Sequence, residues 1–143
     1  MAEKIRPTID TYPFATPITT RWMDNDIYGH INNVTFYSFF DTAANRFLIE
    51  RGGLDIVKDP VIALVVESHC AYHAPLAFPS NVRAGLRVAN LGNRSVTYDI
   101  AIFSDRDPLA AANGKFVHVF VDRETRQATM IPAGIRAALQ SLV

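Results

Sequence analysis

The stretch MDNDIYGHINN, Met23 to Asn33, gathers two aspartates, one histidine and three asparagines into eleven residues. A carboxylate can attack an electrophilic carbon or take a proton from water. The first turn of a helix offers unpaired backbone N–H groups and a positive dipole end, suited to an oxygen that gains negative charge. If a helix starts near Asn32 and Asn33, then Asp26, just before it, faces an oxyanion hole made by the amide near Asn33. That pair suits acyl transfer. A thioester fits such a site, because its thiolate leaves readily and asks for no strong general acid. Gly29 lets the chain turn sharply. His30 could orient Asp26, bind the acyl portion or hydrogen-bond the loop.

The simpler reading of the same residues is a turn followed by a helix cap. Asp24 and Asn25 suit turns, and Asn32 and Asn33 suit caps, so their side chains read as structural. The combination of Asp26, Gly29, His30 and the Asn33 amide, at the mouth of an apolar helix, favours catalysis.

The elements that must position this stretch follow from periodicity. After a Pro-containing start expected to be irregular, Ile18–Met23 has strand composition. Residues from about Asn33 to Arg51 read as a helix without internal Gly or Pro, closed by Gly52 and Gly53. Thr35, Ser38, Thr42 and Asn45 form a narrow polar stripe; Phe36, Tyr37, Phe39, Phe40, Ala43, Phe47 and Leu48 cover most of the rest. So apolar a helix must be enclosed. Val61–His73 is a long extended run, and Val82, Ala84, Leu86 and Val88 alternate with polar partners. Val96, Tyr98, Ile100 and Ile102 do the same, and Gly114–Asp122 adds a strand. The tail from Ile131 fits a short amphipathic helix with Pro132 near its first turn. The order predicts an α+β fold, one antiparallel sheet wrapped around one long central helix, in a single domain over residues 1–143. One such sheet leaves edges and a flank of the helix open, so a second copy is expected to cover them.

Composition excludes several classes. The 14 basic and 14 acidic residues balance, which argues against nucleic-acid binding. The single cysteine, Cys70, has no internal disulfide partner, and the N-terminus lacks an apolar signal core; both favour the cytoplasm. No apolar run has bilayer-spanning length, so no membrane association is expected.

DNDIYGHINNVTFYSFFDTAA resembles the Asp-x-Asp-x-x-Gly-His-x-Asn-Asn signature of the hotdog-fold acyl-CoA thioesterases, in the 4-hydroxybenzoyl-CoA thioesterase and YbgC-like branch. The matching positions are Asp24, Asp26, Gly29, His30, Asn32 and Asn33, with an acid at Asp41 on the following helix. VDRETRQATMIPAGIRAAL is similar to the family's last strand, turn and closing helix. Two positions depart from the pattern: Phe36 stands where many relatives have Tyr, and Ala44 where Arg is common. The resemblance implies a hotdog fold, a homodimer or homotetramer, and active sites at the dimer interface with coenzyme A outside. It implies Asp26 as the catalytic carboxylate and the amide near Asn33 as the carbonyl-polarising group. Coenzyme A would enter as part of the substrate, with no separate cofactor.

Arg94 and Ser95, with Arg83 and Arg87, are candidate contacts for its phosphates, against the simpler reading of solvated strand arginines. Glu67, His69 and His73 share one strand face, but residues four apart on a strand are about 13 Å apart, too far for one metal ion. No metal site is expected. Cys70 reads as a small buried residue, and His118 as a core or interface histidine. The expected function is hydrolysis of an acyl-CoA to a carboxylic acid and free coenzyme A. A non-catalytic acyl-thioester sensor on the same fold is the alternative.

Overall fold

The computed structural model describes residues 5–143. Residues 1–4, which begin the segment read above as lacking a signal core, lie outside the described residues. Five strands, β1 (Phe14–Ile18), β2 (Val61–Tyr72), β3 (Val82–Leu91), β4 (Ser95–Ser104) and β5 (Ala112–Asp122), accompany two helices, α1 (Asn33–Glu50) and α2 (Ala133–Gln140). The strands form one antiparallel sheet in the order β1-β3-β4-β5-β2.

The core lies between α1 and one face of this sheet. Phe36, Phe39, Phe40, Ala43, Ala44, Phe47 and Leu48 form the buried stripe of α1. They meet the inward side chains of β3 and β4, where Val82, Ala84, Leu86, Val96, Tyr98, Ile100 and Ile102 are all buried. Ser38 and Thr42 point outward as their spacing requires, while Thr35 and Asn45 are half-buried. The architecture is the expected α+β wrap, and α1 starts and ends where the caps placed it.

One strand differs from expectation. Ile18–Met23 is not a strand: β1 ends at Ile18, and Trp22–Asp24 is a single 3-10 turn. The backbone N–H of Arg21 donates to the Asp24 carboxylate at 2.8 Å, and the Arg21 guanidinium pairs with the same carboxylate at 2.9 Å. This local closure outweighs the β-propensity of the segment. The segment expected to be irregular supplies the strand instead. Pro17 is tolerated because β1 lies at the sheet edge, where a missing N–H need break no ladder.

At the opposite edge β2 is interrupted by a bulge between Val65 and Glu67. Beside it, β5 carries Gly114, where an added Cβ would collide with the His69 carbonyl. His118 on β5 is buried under the helix side of the sheet, its Nδ1 3.2 Å from the Tyr98 hydroxyl. Burial pushes its pKa from 6.5 down to about 4. The unfolded chain therefore takes up this proton first as pH falls. Stability should be unaffected by His118 above pH 6.5 and decline by about 3 kcal/mol towards pH 4. His118→Gln keeps a polar partner for Tyr98 without a titration; it should flatten that part of the melting temperature against pH.

Candidate active site

The stretch that opened the sequence analysis folds as a small hairpin feeding α1. The Asp26 N–H donates to the His30 carbonyl at 2.9 Å, and the Gly29 N–H to the Asp26 carbonyl at 3.0 Å. Asn25 bridges Ile31, and the Asn32 N–H donates to the Asp24 carbonyl at 2.9 Å. Gly29 at the tip has φ +84°, the left-handed region that costs a side chain about 1–2 kcal/mol. Asp24 is buried and braces the base of the hairpin, the structural role its type suggested. The Asp26 carboxylate accepts the Tyr28 N–H at 2.9 Å through Oδ1. Its Oδ2 has no protein partner among the described residues.

The helix begins where the hairpin ends. Asn32 is the N-cap, its side chain accepting the Val34 N–H at 3.0 Å, and its carbonyl accepts the Thr35 N–H at 2.9 Å. The N–H of Asn33, the first helical residue, makes no hydrogen bond among the described residues. The carbonyl of the same residue accepts the Tyr72 hydroxyl, at the end of β2, at 2.8 Å. The Ile31 N–H is bound by the Leu76 carbonyl at 2.7 Å.

Two clefts flank the hairpin. One, of about 350 Å³, is lined by His30, Ile31, Asn33, Phe36, Tyr72, His73, Ala74, Pro75 and Leu76. The other, of about 660 Å³, is lined by Trp22, Met23, Asn25, Asp26, Ile27 and Gly29. The structure thus joins His30 and Asn33 in one cleft and Asp26 and Gly29 in the next, with the Asp26–His30 backbone bond between them. Trp22 and Met23, read as strand residues, prove to be walls of the second cleft. Tyr72 was missed as well; its signal was its position, the last strand residue before the Pro75 break.

Arg94 and Ser95 fall elsewhere. Ser95 pairs with Val119, which pairs with Leu64, whereas Tyr72 pairs with Ala112. They sit about 25 Å along the sheet from the Asn33 end in the same chain. The Arg94 side chain makes no hydrogen bond or ion pair among the described residues. Arg87 is committed to Asp99 at 2.8 Å, and Arg83 to the carbonyls of Ser104 and Asp107. Glu67 pairs with Lys115 at 3.4 Å, and the His73 Nε2 lies 2.6 Å from the Asn113 Oδ1. No group of three or more metal-ligating side chains occurs among the described residues. Cys70 is buried on β2, which pushes its thiol up to about 11, far from a reactive thiolate.

A small antiparallel sheet around a helix whose open N-terminus meets an aspartate-bearing hairpin defines a hotdog-fold site. A family model for the thioesterase-like superfamily matches residues 20–139, and the chain belongs to that superfamily of thioester hydrolases. The crystal structure of the PA5185 protein from Pseudomonas aeruginosa strain PAO1 is 56% identical over 96% of each chain, with a TM-score of 0.95. The PA2801 protein from Pseudomonas aeruginosa is 28% identical, with a TM-score of 0.81 over 87% of this chain and 96% of that one. A thioesterase from Thermus thermophilus, complexed with coenzyme A and Zn, is 25% identical, with a TM-score of 0.78 over 93% and 96% of the two chains. No curated protein sequence matches the chain significantly. Among the described residues, no helix is long and apolar enough to cross a membrane.

The cap makes a direct prediction. Asn32→Ala removes the acceptor for the Val34 N–H and should cost about 1 kcal/mol in chemical denaturation. Gly29→Ala, which meets no atom within 4 Å, should cost a similar amount from backbone strain alone.

Proposed function

We propose that this protein hydrolyses an acyl-CoA to the carboxylic acid and free coenzyme A. The observation that carries this reading is the unclaimed N–H of Asn33 at the head of α1, opening on a largely apolar cleft. A thioester carbonyl accepting from that amide gains stabilisation as its oxygen becomes an oxyanion. Asp26 supplies the carboxylate, adding to the carbonyl carbon or taking a proton from the attacking water. By either route the tetrahedral intermediate collapses with loss of the coenzyme A thiolate; where Asp26 is the nucleophile, water then hydrolyses the resulting anhydride, releasing the acid and restoring the carboxylate. The coenzyme A complex of the Thermus thermophilus thioesterase supports the choice of carrier. His30 braces the hairpin through its carbonyl and borders the cleft beside Asn33. Gly29 gives the turn its reach, and coenzyme A, as part of the substrate, is the only nucleotide required. With one cysteine in the chain, the cytoplasm is the proposed compartment.

The working form is a homodimer or a homotetramer. Along the unpaired edge of β2, Val65 is 45% and Val66 59% exposed, and at the hairpin Trp22 is 80% and Ile27 94% exposed. A second copy covers such surfaces economically. In it the partner's Arg94 and Ser95 are the candidates for the coenzyme A phosphates, since the chain's own lie at the wrong end of the sheet. Val66→Arg should lower the mass measured by analytical ultracentrifugation and abolish thiol release together.

The central test is thiol release from short, long and aromatic acyl-CoA esters, with Asp26→Asn alongside. Asn keeps an acceptor for the Tyr28 N–H, so the hairpin should survive. The expected result is a loss of about 10²- to 10⁴-fold in rate at unchanged melting temperature. Acyl-CoA binding without thiol release by the native protein would replace the enzyme with a sensor.

A further inference from the structure

We infer that Tyr72 is a positioning residue for the oxyanion donor: its hydroxyl fixes the first residue of α1 so that the Asn33 N–H faces the cleft. This rests on the reading of the Asn33 amide as the group that receives the thioester oxygen. Among the described residues, Tyr72 is the only side chain of the sheet that hydrogen-bonds the first turn of α1. The remaining ties come from the loop side, through Asp24, Leu76 and the Asn32 cap. The helix start is thus clamped between a hairpin and a strand, and the strand's grip is a single O–H to the Asn33 carbonyl at 2.8 Å.

The ring is itself held in register. Tyr72 pairs across the ladder with Ala112, at the end of the longest strand pairing in the sheet. Its ring meets Phe36 edge to face, with centroids 5.2 Å apart and planes at 88°. Phe36 lies one turn into α1 and is buried. The hydroxyl therefore stands on a rigid strand and a packed aromatic contact, and its reach to Asn33 is set by both. The Asn33 N–H, like every N–H of a first helical turn, has no partner within the helix, so its direction depends on how firmly that turn is held.

Energetics separate positioning from simple stabilisation. Tyr72 is 37% exposed, so water can replace its hydroxyl bond, and the bond adds little to folding. Catalysis is more demanding, because a displacement of about 1 Å in a donor can cost about 100-fold in rate. A residue of this kind is nearly silent in a melting curve and conspicuous in turnover. An acyl chain resting on the Tyr72 ring would instead make it a binding residue, with the effect in KM.

Tyr72→Phe keeps the ring on Phe36 and removes only the hydroxyl. With the best acyl-CoA from the panel, kcat should fall about 10-fold or more while KM stays within about twofold and the fold is retained. Two unreactive analogues give a second readout by calorimetry: a ketone that keeps the carbonyl but replaces sulfur with a methylene, and a thioether that lacks the carbonyl. Tyr72→Phe should weaken the ketone and leave the thioether unchanged, which a merely structural role would not do. An unchanged kcat in a variant with Asp26 intact, or equal weakening of both analogues, overturns the assignment. Failure of the underlying reading looks different: the native protein releases no thiol, or Asp26→Asn releases it at the native rate, and the inference falls with it.

Discussion

The seating of α1 on the sheet is the constraint on which the site depends. Phe40, Ala43, Ala44 and Leu48 are fully buried in the core between α1 and the sheet, and truncating one of the large ones would cost about 2–5 kcal/mol. That face can be buried in only one rotation of the helix, which also fixes where its first turn emerges. The start of α1 consequently falls beside the end of β2, within reach of Tyr72. The candidate site inherits its geometry from hydrophobic contacts that lie a turn or more away from it.

The hairpin before α1 translates that geometry into chemistry. Nine residues, Asp24 to Asn32, double back on themselves, and nearly every polar group at the base is spent on the fold. Asp24 holds the preceding turn, Asn25 accepts the Phe78 N–H at 3.0 Å, and Asn32 caps the helix. Among the groups left without a protein partner in the described residues are one oxygen of Asp26, the N–H of Asn33 and the His30 ring. A loop this rich in polar residues is mostly scaffold, and its chemistry is what the scaffold leaves over. The same division explains why Asp24 and Asp26, two residues apart and alike in type, have such different surroundings.

The parts of this arrangement set by local physics were legible in the sequence. The length of α1, the cap at Asn32, the Gly52–Gly53 stop and the alternation of β3 and β4 follow from period and turn chemistry. Asp26 and Asn33 stood out because they flank a helix start. The misplaced first strand shows where local reasoning ends: Thr19 to Met23 has β composition, but the Arg21–Asp24 closure and the pairing of Phe14–Ile18 with β3 decide the matter. Arg94 and Ser95 show a longer-range limit. Their distance from Asn33 depends on the strand order β1-β3-β4-β5-β2, and no local pattern encodes that order. Tyr72 had only its place at the strand end as a signal, because its partner Asn33 is 39 residues away.

The exposed apolar residues of the hairpin follow from the same economy. Trp22, Met23, Ile27 and Tyr28 are between 72% and 94% exposed, and Trp22, Met23 and Ile27 line the cleft that holds Asp26, the carboxylate of the proposed reaction. Burying a side chain of this size gains about 1.5–3 kcal/mol, a gain the hairpin forgoes in one chain because its polar backbone and cap residues face the rest of the fold. Both clefts open to solvent, and the Ala74–Leu76 segment forms one wall of the Asn33 cleft. A second copy that covers this apolar rim would do more than recover burial energy. It would exclude water from one side of Asp26 and strengthen its electrostatic action on a bound carbonyl. The surface that makes the isolated chain incomplete is, in the proposed dimer, the wall that makes the carboxylate effective.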